Sequence, residues 1–495
     1  MENAGKNFFQ ILFEEFDDLD EHNIFIVCGK GNNAGDGFVL ARHLLINGYE
    51  MKIVLLEKPN AFKGDALINY QLLEKCSNDN LEFIPVDDFS LRVKNSKKTL
   101  IIDAILGTGI KGSLEKKYAN TITLINKFKN SSKKLTVISL DVPSGLMSGE
   151  QVNPVVNANM TITMGAIKTE LLFGEGKQNS GRIIVVPIGI TYNLISKYNL
   201  SDKSLIGLND VRVLFPKRKK ASYKYANGKV LVIGGSKGIS GSIIMSSYSA
   251  IKTGAGGVAA AIPKSIAKSF NKKLYEVMTV ELNETEEGSI SPDSFDKITK
   301  RIDWADAVLL GPGISANESI KDLVFDVIKN CDKPLVIDAD GLNQLSTDIS
   351  FLNNRNHKNE IILTPHLGEF SKLSGIPVKK IVLDRFKCAS DFAKKYDVNV
   401  VLKSETTFSC TPAGKIYINS SGNEVLGTAG TGDVLSGIIV SMLAQTGNAE
   451  SAMICGNYIH GLSADIYYEK YGNKQSASPR DIIKNIPKAI SEILG

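Results

Sequence analysis

Two stretches of the chain combine glycines, carboxylates and hydroxyls in patterns that serve anion, cation or proton chemistry. In the first, Asn23 to Cys28 runs into Gly29, Lys30, Gly31, Asn32, Asn33, Ala34, Gly35, Asp36 and Gly37, ahead of an apolar helix expected over Phe38 to Ile46. Glycines permit a tight turn and let unpaired N–H groups at a helix start approach a phosphate. The bare pattern fits a dinucleotide turn and a purely structural turn equally well, because Glu57 matches the usual acidic ribose ligand only loosely. Two further strand ends add oxygen ligands: Leu100 to Ile102 delivers Asp103 and then Gly107, Thr108 and Gly109, while Val137 to Leu140 delivers Asp141, Pro143, Ser144 and Gly145. In an open α/β sheet such carboxyl ends converge on one crevice. Its donors, two carboxylates, an amide and a hydroxyl, suit a hard cation as well as a polar ligand.

The second stretch is Thr428, Ala429, Gly430, Thr431, Gly432, Asp433, ahead of a helix predicted from the apolar spacing of Val434 to Leu443. Gly430, Thr431 and Gly432 would aim backbone N–H groups at developing phosphate charge, and Asp433 can take a proton from a substrate hydroxyl. No G-x-x-x-x-G-K-[ST] occurs, so a P-loop mechanism is not supported. His366, between Pro365 and Leu367 at a strand end, reads by itself as a satisfied structural histidine.

These residues need parallel strands to hold them. Short β-branched runs recur with helical stretches between them, at Asn23 to Cys28, Met51 to Glu57, Leu81 to Val86, Thr99 to Leu106, Leu135 to Asp141, Met160 to Met164 and Arg182 to Pro187. The pattern resumes at Lys229 to Ile233, Ala307 to Leu310, Pro334 to Asp338, Glu360 to Leu363 and Val398 to Lys403. Nearly continuous apolar runs are expected of strands buried on both faces, so both halves read as α/β. Between them, Lys217, Arg218, Lys219 and Lys220 follow Pro216 as a solvated connector, which places the boundary near Lys217 and gives units 1–216 and 217–495. Met1 to Phe16 reads as the middle of an amphipathic helix, with Phe8, Phe9, Leu12, Phe13 and Phe16 on one side and no capping residue ahead of it.

A chain of 495 residues is too long for one ordinary domain. With 43% hydrophobic and 22% charged residues it falls outside the disordered, collagen-like and disulfide-rich classes. Its formal net charge of +5 is too weak to argue for nucleic acid. Cys28, Cys76, Cys331, Cys388, Cys410 and Cys455 are scattered without metal or disulfide spacing, which fits a reducing cytoplasm. No apolar run is long enough to span a membrane and no signal peptide is evident, so a cytoplasmic enzyme without membrane or nucleic-acid partners is expected.

GKGNNAGDGFVLARHL, DAILGTG, DVPSG and TITMGAIKTELLFGEG, occurring in order over about Met1 to Pro216, resemble the epimerase domain of the NAD(P)H-hydrate repair system. The resemblance implies a Rossmann-like three-layer domain with a potassium ion held by Asn33, Asp103 and Ser144. It also implies that the hydrated cofactor NAD(P)HX lies along Asn32, Asn33, Ala34, Gly35 and Asp36, along Gly107, Thr108, Gly109, Ile110, Lys111, Gly112 and Ser113, and at Asp141. In that substrate C6 bears a hydroxyl beside the ring nitrogen, so an acid can assist loss of the hydroxyl and water can return to either face. Asp103 is read as this acid or as a cation ligand only, and Lys168 as a further catalytic candidate or a surface lysine. Lys30 and Ala34 stand where the family more often has Pro and Gly, and Ala34 would be strained if its position were left-handed. The helix that usually precedes MENAG is missing, which bears on stability or assembly; a homo-oligomer is expected.

The second half, from about Lys217 to Gly495, is similar to ribokinase-like kinases in its G-T-G-D helix. In Ser222 to Gly228, KVLVIGGS, the GPG of Gly311 to Gly313, DADGLN, LTPHLGEF and VLKSETT it resembles the nucleotide-dependent NAD(P)H-hydrate dehydratase. This implies a ribokinase-like three-layer domain in which the hydrate meets Ser242, Gly313, His366 and Asp433. The donor nucleoside would lie along Lys403, Ser404, Glu405, Thr406 and Thr407 and at Gly432. Ser242 replaces a small apolar residue, and Ala429 stands where a glycine is more common. The mechanism implied is transfer of a phosphoryl group from ADP, with ATP also possible and Mg2+ on the donor phosphates, to the C6 hydroxyl, followed by loss of phosphate. The competing reading is a ribokinase-like small-molecule kinase fused to a non-catalytic Rossmann-like binding module.

Overall fold

The computed structural model describes residues 1–93, 98–198, 202–218 and 224–495. Its chain divides into two compact units, Met1–Leu200 and Ser201–Gly495.

In the first unit the strands are β1 (Asn23–Cys28), β2 (Met51–Leu55), β3 (Leu81–Pro85), β4 (Thr99–Ala104), β5 (Leu135–Leu140), β6 (Met160–Met164) and β7 (Arg182–Val186). They pair in parallel in the order β3-β2-β1-β4-β5-β6-β7. Chain direction across the sheet reverses between β1 and β4, which opens a crevice at the strand carboxyl ends. Register then fixes the site: Val27 lies beside Asp103 and Asp103 beside Ser139, so three strand ends arrive at one height. Alternate residues of β1 enter opposite cores. Ile24 and Ile26 join Phe8, Leu12 and Phe38, whereas Phe25 and Val27 join Phe89 and Ile122.

The opening segment is a helix, Glu2–Glu15, whose buried stripe is Ala4, Phe8 and Leu12, at four-residue spacing. Phe13 falls off that stripe and is 59% exposed, unlike the expected face of four phenylalanines and Leu12. Gly5 allows the close approach of the next helix, since a Cβ there would stand 2.4 Å from Val39 Cγ1.

In the second unit the strands are β8 (Lys203–Ile206), β9 (Lys229–Ile233), β10 (Gly257–Pro263), β11 (Met278–Leu282), β12 (Ala307–Leu310), β13 (Leu335–Ile337), β14 (Ile361–Leu363), β15 (Asn399–Leu402), β16 (Phe408–Cys410) and β17 (Ile416–Asn419). Their order is β11-β10-β9-β12-β13-β14-β15-β16-β17-β8, parallel as far as β15 and antiparallel through β16 and β17. Strand β8 closes the edge by pairing in parallel with β17, Lys203 opposite Ile416. This pairing moves the division upstream of the boundary expected near Lys217, because residues 203–216 belong to the second sheet's unit. Of the basic run, Arg218 donates to the Gly254 carbonyl at 2.7 Å, and Lys219, Lys220 and Ser222 lie outside the described residues. Strand β10, sequence GVAAAIP, escaped the periodicity reading because alanine and glycine are poor strand formers; its place between β9 and β11 makes it a strand.

The helix Thr431–Thr446 is buried from Val434 to Leu443 and crosses the helix Ser240–Lys252 at Gly437. A Cβ on Gly437 would lie 2.1 Å from Ser249 Oγ and 2.2 Å from the Ser246 carbonyl. Gly437→Val is therefore expected to destabilise the second unit by about 1–3 kcal/mol through overpacking, read as a lower urea midpoint; an unchanged midpoint would mean the helices part freely. Among the described residues no helix is long and apolar enough to cross a membrane.

Candidate active sites

In the first unit the glycine-rich turn is shorter than the sequence pattern indicates. Gly31 is the N-cap and the helix Asn32–Ile46 begins at once, so Asn33, Ala34, Gly35 and Asp36 occupy its first turns, not a loop. Ala34 is helical and buried, so its Cβ meets no left-handed strain. Glu57, the loose ribose-ligand match, is engaged elsewhere, 2.8 Å from Lys117 Nζ and accepting from the Tyr118 hydroxyl at 2.9 Å.

Asn33 and Ser144 come together around the Leu106 carbonyl, and Asp103 joins them through Ser144. Asn33 Nδ2 donates to the Leu106 carbonyl at 3.0 Å, while Ser144 Oγ lies 3.1 Å from that oxygen and accepts from the Leu106 N–H at 2.8 Å. Asp103 Oδ1 accepts from Ser144 Oγ at 2.5 Å and from the Ile105 N–H at 3.2 Å. Its Oδ2 accepts from the Ser144 N–H and from Ser139 Oγ, both at 2.8 Å. A carboxylate has about four lone-pair directions, and these four donors take them. Burial raises the Asp103 pKa above the ordinary carboxyl value against the pull of the same donors. By contrast, Asn33 Oδ1 is buried with no hydrogen-bond partner among the described residues, a bare acceptor of the kind a hard cation relieves.

Asp141 and Lys168 form a second group. Asp141 takes φ 67°, rare for a residue with a Cβ and a mark of strand ends that aim a side chain. Lys168 Nζ donates to Asp141 Oδ1 at 2.5 Å, to Thr163 Oγ1 at 3.0 Å and to the Met164 carbonyl at 2.8 Å, so it is not a free surface lysine. Asp36 has no such anchor among the described residues. Burial, opposed by the Met1 amino group and reinforced by Asp141, pushes its carboxyl up to about 7. The segment Gly107 to Ser113 forms an exposed rim with Gly109 and Gly112 left-handed, tied down where Asn153 Nδ2 donates to the Gly112 carbonyl at 2.9 Å.

In the second unit Gly430 caps the helix Thr431–Thr446 with φ 94°, and Asp433 stands in its first turn. Burial and then Asp338 push the Asp433 carboxyl up to about 7, with Asp340 adding and the Ser242 hydroxyl and Lys403 opposing. Lys403 Nζ donates to Asp338 Oδ1 at 2.9 Å and lies 3.9 Å from Glu369 Oε2. Burial works against its charge, but Asp338, Glu369 and Asp433 hold its pKa above the ordinary lysine value. Gly313, left-handed at φ 63°, has no room for a Cβ, which would meet the Ile239 carbonyl at 2.7 Å and Ser242 Cβ at 3.3 Å.

His366 does double duty. Its ring Nδ1 accepts from the Gly368 and Glu369 N–H groups at 3.0 and 3.3 Å, and Glu369 Oε2 accepts from the His366 N–H at 2.8 Å, a reciprocal cap on the helix Leu367–Ser374. With Nδ1 accepting, the neutral ring carries its proton on Nε2, in a side chain 60% exposed. Ser404 to Thr407 make the turn between β15 and β16, where Ser404 Oγ donates to the Thr406 carbonyl at 2.8 Å and Glu405 pairs with Arg385 at 2.8 Å.

Asp338 and Glu369, which anchor Lys403, were missed as site residues. Asp338 follows strand β13 as Asp103 and Asp141 follow or end theirs, so the rule that singled out those two would have found it. Glu369 gave no comparable signal, because a Glu at the third helical position reads first as a cap.

A family model described as NAD(P)H-hydrate dehydratase matches residues 230–488, and one described as YjeF-related protein N-terminus matches residues 1–170. The bifunctional NAD(P)H-hydrate repair enzyme of Moorella thermoacetica is 35% identical over 94% of this chain and 87% of its own. That of Dictyoglomus turgidum is 32% identical over 100% of this chain and 94% of its own. A solved ribokinase-like superfamily protein of Enterococcus faecalis is 25% identical, covers 59% of this chain and 97% of its own, and aligns with a TM-score of 0.51. Full-length similarity of this kind disfavours a kinase joined to a non-catalytic module. The chain belongs to the bifunctional NAD(P)H-hydrate repair enzymes, in which an epimerase unit precedes a dehydratase unit.

Proposed function

We propose that the first crevice interconverts the R and S hydrates of NADH and NADPH, and that the second dehydrates the S form with ADP as phosphoryl donor, releasing AMP and phosphate. The carrying observation is that each crevice places one carboxyl pushed up to about 7, Asp36 or Asp433, in the first turns of a helix that follows a glycine-rich turn. Such a group exchanges protons at neutral pH.

In the first crevice Asp36, when protonated, donates to the departing C6 hydroxyl. The ring nitrogen lone pair forms the C6=N1 iminium, and water returning to either face gives the proton back. Asp141, oriented by its hydrogen bond from Lys168, supports the cationic ring. Potassium fits the cluster: Asn33 Oδ1 and Ser144 Oγ would hold it, and Asp103, its lone pairs occupied, would supply the compensating charge. Bound there, the ion would supply fixed positive charge beside the start of the helix Asn32–Ile46.

In the second crevice Asp433 accepts the proton of the C6 hydroxyl while its oxygen takes the terminal phosphoryl of the donor, whose bridging P–O bond breaks. Of the turn's N–H groups, those of Gly430 and Gly432 would face the developing phosphate charge, because that of Thr431 is spent on the Thr428 carbonyl at 3.2 Å. Nitrogen then expels phosphate from C6, and loss of a C5 proton restores the dihydropyridine. Magnesium, when bound with the donor phosphates, would neutralise their charge. His366 offers its Nε2–H and Ser242 its hydroxyl to the hydrate, while Ser404 to Thr407 flank the donor's nucleoside.

The test uses purified protein, an R,S mixture of hydrated cofactor, and ADP or ATP. Reduced-cofactor absorbance should return in full, faster with ADP. The two activities should respond oppositely to pH. Asp36 acts as an acid, so epimer exchange falls as pH rises through about 7; Asp433 acts as a base, so dehydration falls as pH drops through about 7. Parallel profiles, or recovery of only the S fraction, would refute this division of labour.

A further inference from the structure

Lys403 follows β15 beside the start of the helix Thr431–Thr446, where a Cβ placed on Gly432 would stand 3.4 Å from its Nζ. A free lysine samples many positions through its four-carbon stem, and holding it here requires a fixed anion. Asp338 is that anion, 1% exposed, with Oδ1 2.9 Å from Nζ. The backbone just after it is strained: Ala339 takes φ 52°, a left-handed value that persists in alanine only where the surroundings impose it. Asp340, on the far side of that turn, is instead occupied by the Ser315 N–H at 3.2 Å.

We propose that Asp338 is a positioning residue for the dehydratase: its buried carboxylate moors the Lys403 ammonium beside the Gly430–Thr431–Gly432 turn, giving the phosphate-facing helix start a fixed positive charge. The inference rests on the phosphoryl-transfer reading of this crevice. Two carboxyls, Asp338 and Asp433, then share one ammonium, and Glu369 at 3.9 Å leans on it as well. The groups facing Asp433 are Asp338 after β13, Asp340 in the helix Asp340–Leu345, Lys403 after β15 and the Ser242 hydroxyl from the helix Ser240–Lys252. Removing the Asp338 charge ends one repulsion on Asp433 and at the same time releases Lys403, so Asp433 ionises at lower pH but shifts less than it does in the Lys403→Met background. Removing Lys403 moves it the other way.

The experiment follows the Asp433 carboxyl by 13C NMR titration in the full-length protein, assigned with Asp433→Asn, in unaltered protein and in Asp338→Asn, Lys403→Met and the double variant. The double variant leaves no ion of the pair stranded in the interior and so keeps the comparison available if Asp338→Asn alone does not fold. In Asp338→Asn the midpoint should fall by about one pH unit, and nucleotide-dependent dehydration should fall about 100-fold. Lys403→Met should raise the midpoint, and adding Asp338→Asn to it should lower the midpoint again. An Asp338→Asn fall that is as large with lysine at 403 as in the Lys403→Met background, or an unchanged dehydration rate in Asp338→Asn, overturns the positioning role. The titration needs no substrate, so absence of nucleotide-dependent dehydration in the unaltered protein would instead remove the phosphoryl-transfer reading beneath it.

Discussion

Replacing Asp433 with alanine is expected to reduce nucleotide-dependent recovery of reduced-cofactor absorbance by about 10²- to 10⁴-fold, the range for losing a positioned general base. The carboxyl sits in the first turn of the helix Thr431–Thr446 with its proton affinity near neutrality, so it can take the hydroxyl proton as phosphoryl transfer begins. Lys403, held above the ordinary lysine pKa and paired with Asp338, stays protonated and cannot replace it. The Gly430–Thr431–Gly432 turn remains, which leaves residual charge stabilisation without a base. Epimer exchange, carried by the first unit's own residues, should continue at the unaltered rate. Full recovery in the variant would refute the role assigned to Asp433, and loss of exchange along with dehydration would point to a folding defect instead.

Asp103→Ala should act through the scaffold of the first crevice. Truncation leaves the Ser144 and Ile105 N–H groups and two serine hydroxyls without their acceptor. The hydroxyls can turn, Ser144 Oγ toward the Leu106 carbonyl at 3.1 Å, but the backbone donors cannot. Two stranded N–H groups at about 1–3 kcal/mol each amount to about 2–6 kcal/mol, a large share of a domain's stability. The same change loosens the Ser144–Leu106–Asn33 cluster, so epimer exchange should slow well before the unit melts. Thermal denaturation of the variant, with and without potassium, and the rate of R into S exchange measure the two effects. An R,S mixture still repaired completely at the normal rate, with an unshifted melt, would show that Asp103 is dispensable to the crevice.

Much of this was legible in the residues themselves. Apolar strands ending in Asp103 and Asp141, and the G-T-G-D turn before an apolar helix, announce parallel sheets with ligands at their carboxyl ends, because those signals are local and period-based. Local signals misplaced other features. Asn33 to Asp36 looked like loop and are helix, and Phe13 looked buried and is exposed, because one-residue differences in where a helix starts or which way its stripe runs depend on packing partners. The division near Lys217 moved upstream because β8 finds β17 more than two hundred residues later, a pairing no window along the chain contains.

The sequence by itself determined the α/β architecture, the two glycine-rich helix starts and the carboxylates that serve them. Only the tertiary structure decided what each carboxylate can do. Asp103 is saturated by donors from Ser139, Ser144 and Ile105, Asp36 is buried near the Asp141 charge, and Asp338 holds Lys403 from a different strand. The physical reason is that residue type and spacing are properties of the chain, whereas proton affinity and orientation depend on burial and on partners that distant segments bring through space.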